Sequence, residues 1–236
     1  TGMSNKYSFN FDGSNDYLDT GESFESTLTN SFTISAWIKP TDGQPSARGS
    51  ICGTLKYDNY SGYVQFSHED NGKLKLTIGT PTAQEMVGTS SVVFSDGASD
   101  WTHVVAVFTK SSATTGTIAL YANGVDVSDT TTKAGSWNIE SYVNTFSMFI
   151  GARNQTGTAM QFLNGLIDEF AIWNTALDAS TIAKIASKPV DLTKYSASNL
   201  KLWLRAGDKA EPESTTAIAR QDFYTDFDGT DDMVAL

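Results

Sequence analysis

Apolar side chains alternate with polar ones along this chain, segment after segment, and each segment stops at a turn signal. Phe32, Ile34, Ala36 and Ile38 alternate with Ser31, Thr33, Ser35 and Lys39 before Pro40. Successive strand side chains point to opposite faces, so a two-residue period buries one face and wets the other. Val64 and Phe66, then Asp70-Asn71-Gly72, then Leu74, Leu76 and Ile78 read as a hairpin with polar residues on its outer face. Ile118 and Leu120 run into Asn123-Gly124, a pair suited to a tight hairpin turn, and Val125 and Val127 return. Trp101 to Thr109 is apolar on both faces, as a central strand would be. Phe146 to Gly151 and Phe162 to Trp173 supply two more strands. Asp178 can cap a helix containing Ile182, Ile185 and Ala186, which Pro189 stops. The pattern predicts an all-β, antiparallel two-sheet sandwich with one short C-terminal helix.

One phrase is written twice. Phe11-Asp12-Gly13-Ser14-Asn15-Asp16-Tyr17-Leu18 reappears as Phe227-Asp228-Gly229-Thr230-Asp231-Asp232-Met233-Val234. A repeated strand-turn-strand marks either a module opening or two equivalent strands of one sandwich. The expected organisation is a main domain at 4–188, a linker with a short strand at 189–220, and the repeated opening strand at 221–236. That last segment can pair with its own domain, pair with another protomer to give a homo-oligomer, or begin a second module.

The net charge is −11 with 27 acidic residues. A nucleic-acid partner requires a basic surface that displaces counterions, and an anionic membrane asks for the same; no Lys/Arg cluster is visible in the sequence. Cys52 is the only cysteine, so no internal disulfide can form. Met3-Ser4-Asn5-Lys6 leads straight into a strand without a signal-peptide pattern.

Four stretches, in order, resemble laminin-G-like, concanavalin A-like modules of the pentraxin type. They are Phe11 to Leu18; Phe32 to Pro40; Trp101 to Val105 with Leu120 to Gly124; and Phe162 to Leu177. The resemblance implies a jelly-roll fold and glycan or protein binding, often with calcium. It is also similar to modules in structural proteins of marine bacteriophages. On that analogy the chain is expected to be a non-catalytic adhesion or assembly module of a virion or extracellular surface, partnered by a glycan or a neighbouring virion protein. A stand-alone calcium-dependent lectin is the alternative reading.

A glycoside hydrolase needs two carboxylates flanking a cleft. Asp168 and Glu169 are adjacent, which on a regular strand turns them to opposite faces, and no Glu-x-Asp-x-x-Glu string is present. His103, in phase with Trp101, Val105 and Val107, reads as a packed strand residue. Calcium takes six to eight oxygens, and the candidate donors are Asp12, Asn15, Asp16 and Asp168. Local turn hydrogen bonds are the competing use of Asp12 and Asn15, and amide acceptance that of Asp168. Sugars stack on aromatic faces and bond to planar polar groups, so the candidate contacts are Tyr57, Asn59, Tyr60, Trp137, Tyr142, Arg153 and Asn154.

Overall fold

The computed structural model describes residues 7–56, 62–80, 84–133, 144–206, 220–223 and 233–235. Two sheets stack face to face. The first runs β10 (Val125–Asp126), β9 (Gly116–Ala122), β8 (Thr102–Lys110), β3 (Phe32–Pro40), β15 (Asn164–Trp173), β16 (Leu200–Ala206) and β17 (Arg220–Phe223), with β1 (Phe9–Asp12) also on β15. The second runs β11 (Ser128–Lys133), β7 (Gln84–Val92), β6 (Lys73–Thr80), β5 (Val64–His68), β4 (Gly49–Leu55), β12 (Phe149–Ile150), β2 (Tyr17–Asp19) and β18 (Met233–Ala235). In that sheet β13 (Arg153–Gln155) joins β4, and β14 (Thr158–Met160) joins β13. Most pairings are antiparallel, as the alternation predicts; β13 on β4, β17 on β16 and β18 on β2 are parallel.

The inward residues of both sheets form one core. Ile34, Ala36 and Ile38 of β3 and Val104, Ala106 and Phe108 of β8 meet Val64 and Phe66 of β5 and Leu74, Leu76 and Ile78 of β6. In β3, β5 and β6 these are the positions the two-residue period assigned to the buried face; β8, apolar on both faces as read from sequence, turns Val104, Ala106 and Phe108 into this core. Burying each such side chain contributes about 1.5–3 kcal/mol relative to leaving it exposed.

A second apolar layer covers part of the outer face of the first sheet. Beyond the single-turn α1 (Glu25–Leu28) that precedes β3, the helix α2 (Ala179–Ala186) lays Ile182 and Ile185 over Val105, Val107, Ala171 and Trp173. Its start is capped as expected, Asp178 Oδ1 accepting from the Thr181 amide at 2.8 Å. The helix rests on the β9–β10 turn, where Asn123 and Gly124 both have positive φ. A Cβ on Gly124 would stand 3.0 Å from the Ala183 Cα, so the turn also needs glycine for room. Strand β16 adds Leu202 and Leu204 to the core and Trp203 to the outer layer.

Strand β15 is shared along one edge. Strand β1 pairs with Gly165 to Ile167 and Asn164, and β16 takes over at Phe170. The changeover carries a β-bulge between Asp168 and Ala171, with Glu169 at φ 50. The extra residue shifts the alternation. Asp168 therefore does not share a face with Phe170 and Ile172, as the unbroken pattern implied; those two point into the core. Glu169 reaches the outer-layer residues Trp203 and Arg205.

The described end of the second copy of the repeated phrase pairs with the end of the first. Met233 lies beside Tyr17 and Val234 beside Leu18, the same positions that align in the sequence repeat.

Candidate functional site

The outer face of the second sheet carries a polar row built by register. Arg153 of β13 lies beside Gly53 of β4, Gly53 beside Gln65 of β5, and Gln65 beside Thr77 of β6. Gly53 is the gap that lets the long side chains lie across the sheet: a Cβ there would meet Arg153 Cγ at 3.2 Å and Gln65 Cγ at 3.3 Å. Arg153 and Thr77 of this row, with Arg48, Tyr63, Lys75, Glu85 and Gln161, line a cleft of about 410 Å³. Arg48 and Gln161 continue into an end groove of about 710 Å³ between Asp42, His68 and Asn164.

The cleft is pre-organised. Arg153 donates from Nη1 to the Tyr63 hydroxyl at 3.4 Å and from Nη2 to Gln155 Oε1, and its Cζ lies 5.7 Å from the centre of the Tyr63 ring. The Tyr63 hydroxyl donates to Gln65 Oε1 at 2.5 Å, while Gln65 Nε2 reaches Ser50 Oγ and Gln161 Oε1 at 2.5 and 2.6 Å. Burial holds the Tyr63 phenol above its ordinary range, which Arg153 partly offsets, so it remains a protonated donor. Lys75 Nζ contacts Glu69 Oε2 at 3.3 Å. Two buried polar atoms, Arg153 Nε and Thr77 Oγ1, have no hydrogen-bond partner among the described residues. Three cationic side chains therefore share one cleft with Glu85 in a chain of net charge −11.

Of the residues singled out from sequence, Arg153 belongs to this cleft. Asn154 does not: it is buried, donating to the Ser147 carbonyl at 2.9 Å and accepting from the Gly157 amide at 2.7 Å, so its amide holds the β13–β14 turn. Tyr57, Asn59, Tyr60, Trp137 and Tyr142 lie outside the described residues. Sequence reasoning passed over Arg48, Lys75, Gln65 and Glu85. The available signal was the polar outer face of the β5–β6 hairpin combined with the scarcity of basic residues.

The four calcium candidates do not form one donor set. Asp12 Oδ1 accepts from the Ser14 amide at 2.7 Å, and Asp16 Oδ2 accepts from the Asp12 amide at 2.9 Å; Asn15 sits in the same turn. Asp12 pairs across to Asn164, and Asp168 stands four residues further along β15. Among the described residues no group of three His, Cys, Asp or Glu side chains converges on a metal position. These residues do not fit a calcium ion bound by all four.

Asp168 instead accepts from the amides of Glu169 and Ala206 at 2.8 and 3.1 Å. Burial first, and then the Glu169 charge, push its carboxyl up to about 8. Burial pushes His103 down to about 3, and its ring packs 5.3 Å from that of Trp37, as a structural histidine should. These shifts set opposed slopes of stability with pH. The folded Asp168 keeps its proton from 3.8 to about 8, where the unfolded chain has lost it, so stability falls as pH rises through that window. The unfolded His103 takes up a proton below 6.5 and the folded one does not until about 3, so stability falls as pH drops there. Between pH 6.5 and 8 the histidine no longer opposes Asp168, and the melting temperature is expected to fall with rising pH. Asp168→Asn keeps the Oδ1 acceptor and should flatten that slope. A slope identical in the variant would mean that Asp168 ionises normally.

Comparison with known proteins decides the family. A model of the concanavalin A-like lectin/glucanases superfamily, Laminin_G_3, matches residues 12–183. The chain belongs to this family. A sequence search of curated proteins found no match. This Laminin_G_3 chain superposes on the CBM40 module of Ruminococcus gnavus IT-sialidase bound to α2,3-sialyllactose, with a TM-score of 0.61 and 14% identity, over 77% of this chain and 97% of that one. A variant of NanB sialidase from Streptococcus pneumoniae gives 0.57 and 18%, over 78% of this chain and 27% of that one. A Bacteroides ovatus protein described as carbohydrate binding gives 0.57 and 18%, over 84% and 50%. At such identities these likenesses establish the jelly-roll fold of the Laminin_G_3 domain.

Proposed function

We propose that the chain is a non-catalytic carbohydrate-binding module whose cationic cleft on the second sheet takes an acidic glycan. The observation that carries this reading is the placement of Arg48, Lys75 and Arg153 in one cleft of an acidic protein. A guanidinium presents a planar fork of donors that matches a carboxylate bidentately. Arg153 is already braced by Tyr63 and Gln155, so little side-chain entropy is lost on binding. The structural neighbour in complex with sialyllactose, a sugar bearing a carboxylate, supports the same chemistry. A role in a virion or surface assembly is compatible with such binding, the glycan then serving as the attachment point.

Calorimetry with 3′-sialyllactose and with lactose tests the proposal. The acidic sugar should bind and lactose should bind at least tenfold more weakly, a difference of about 1.4 kcal/mol or more. Arg153→Ala should weaken sialyllactose binding by about 1.5–3 kcal/mol, the range for hydrogen bonds to charged groups. Equal affinity for both sugars, or an Arg153→Ala variant that binds normally, would refute an acidic-sugar site in this cleft.

A further inference from the structure

The outer face of the first sheet has an uncovered part beyond the reach of α2. Trp37 of β3 pairs with His103 of β8 on one side and with Asp168 of β15 on the other, so the same register places all three on the outer face. Trp101 precedes β8 in phase with His103, and Leu166 precedes Asp168 by two. Trp37, Trp101, Leu166 and Asp168, with Tyr7 and Pro189, line a pocket of about 340 Å³. That is at the lower end of small-ligand pockets, about 300–1,000 Å³. Tyr7 is 56% exposed and Trp101 36% exposed, so two of the few exposed large apolar side chains among the described residues meet at one pocket.

We propose that this pocket is a second sugar subsite, for one neutral pyranose ring, seated on the Trp37 and Trp101 faces with the Asp168 carboxyl at its polar edge. Aromatic faces match the C–H surface of a pyranose, and one carboxyl beside them bonds to ring hydroxyls. An organic cation would also suit aromatic rings beside an acid. The raised pKa of Asp168 favours the sugar, because a protonated carboxyl donates to a hydroxyl oxygen and offers a cation no full charge. The neighbouring charges are already committed, Glu169 to Arg205 and Trp203, and His103 is neutral at physiological pH. The pocket lies on the opposite sheet from the cationic cleft and does not rest on the acidic-glycan reading.

Saturation-transfer NMR on the full chain with methyl β-galactoside, methyl β-glucoside, methyl α-mannoside and methyl N-acetyl-β-glucosaminide tests it, with tetramethylammonium as the cation probe. At least one glycoside should receive saturation on its ring C–H protons. Trp101→Ala should weaken that binding by about tenfold, roughly one aromatic contact, while Trp101→Phe keeps most of it. Arg153→Ala should leave it unchanged, which separates this pocket from the cleft. Circular dichroism of Trp101→Ala should match the parent, since the side chain is on the surface. No response from any glycoside, or a response that survives Trp101→Ala, overturns the proposal. Tetramethylammonium binding in place of the glycosides, lost in Trp101→Ala, overturns it in favour of a cation pocket.

Discussion

Arg205→Met should destabilise the protein by about 3–5 kcal/mol, the cost of leaving one partner of a buried ion pair uncompensated. Both side chains of the pair are almost fully buried, and Arg205 Nε lies 2.8 Å from Glu169 Oε1. The contact is close in distance without lying along the N–H direction, so charge balance matters here more than hydrogen-bond geometry. Glu169 also accepts from Trp203 Nε1 at 2.6 Å. Methionine keeps much of the arginine's apolar stem and removes its charge. Adding Glu169→Gln to the same chain should recover most of the loss, because it removes the stranded carboxylate while keeping an acceptor for Trp203. Urea unfolding of the two single variants and the double variant measures the coupling. A single-variant loss below about 1 kcal/mol, the value of an exposed pair, would show that the site is effectively solvated.

The second large effect is expected at Trp173. Its side chain is wholly buried under α2, and its Nε1 donates to the Tyr195 carbonyl at 3.0 Å. Trp173→Ala should destabilise by about 3–5 kcal/mol through lost burial and a cavity, with the Tyr195 carbonyl left unpaired as well. Trp173 belongs to the outer layer, so the damage should be local. Hydrogen exchange should accelerate in α2 and in 192–200 before it accelerates in β5 and β6. Simultaneous loss of protection everywhere would mean that the outer layer and the sandwich unfold as one unit.

The legible parts of this fold were those with a clean local signal. Strand β3, the β5–β6 and β9–β10 hairpins and the capped α2 each carry period, turn and cap in adjacent residues. Strand β4 was hidden because it is buried on both faces, and Gly-Ser-Ile-Cys-Gly-Thr-Leu does not alternate. The bulge was hidden because a glutamate, not a glycine, takes the positive φ at 169, where the edge partner changes from β1 to β16. That one residue overturned the sequence argument that Asp168 and Glu169 face opposite ways. The cleft was legible only in part. Arg153 could be picked as a polar loop residue, but Gln65 and Thr77 join its row through sheet register, a property of pairs of strands that no single segment announces, and Arg48 and Gln161 reach the cleft from just before β4 and just after β14.

Strand β15 has a consequence for how the protein is made. Its partners β3 and β1 leave the ribosome more than a hundred residues before it does. At about 5–20 residues per second, the edges that await it stay open for roughly six to thirty seconds of translation. During that interval β1, with Phe9 and Phe11, lacks the strand it pairs with, while the inward row of β3 can already meet β5 and β6. A nascent chain of this design depends on slow self-association or on a holding chaperone until synthesis passes Trp173.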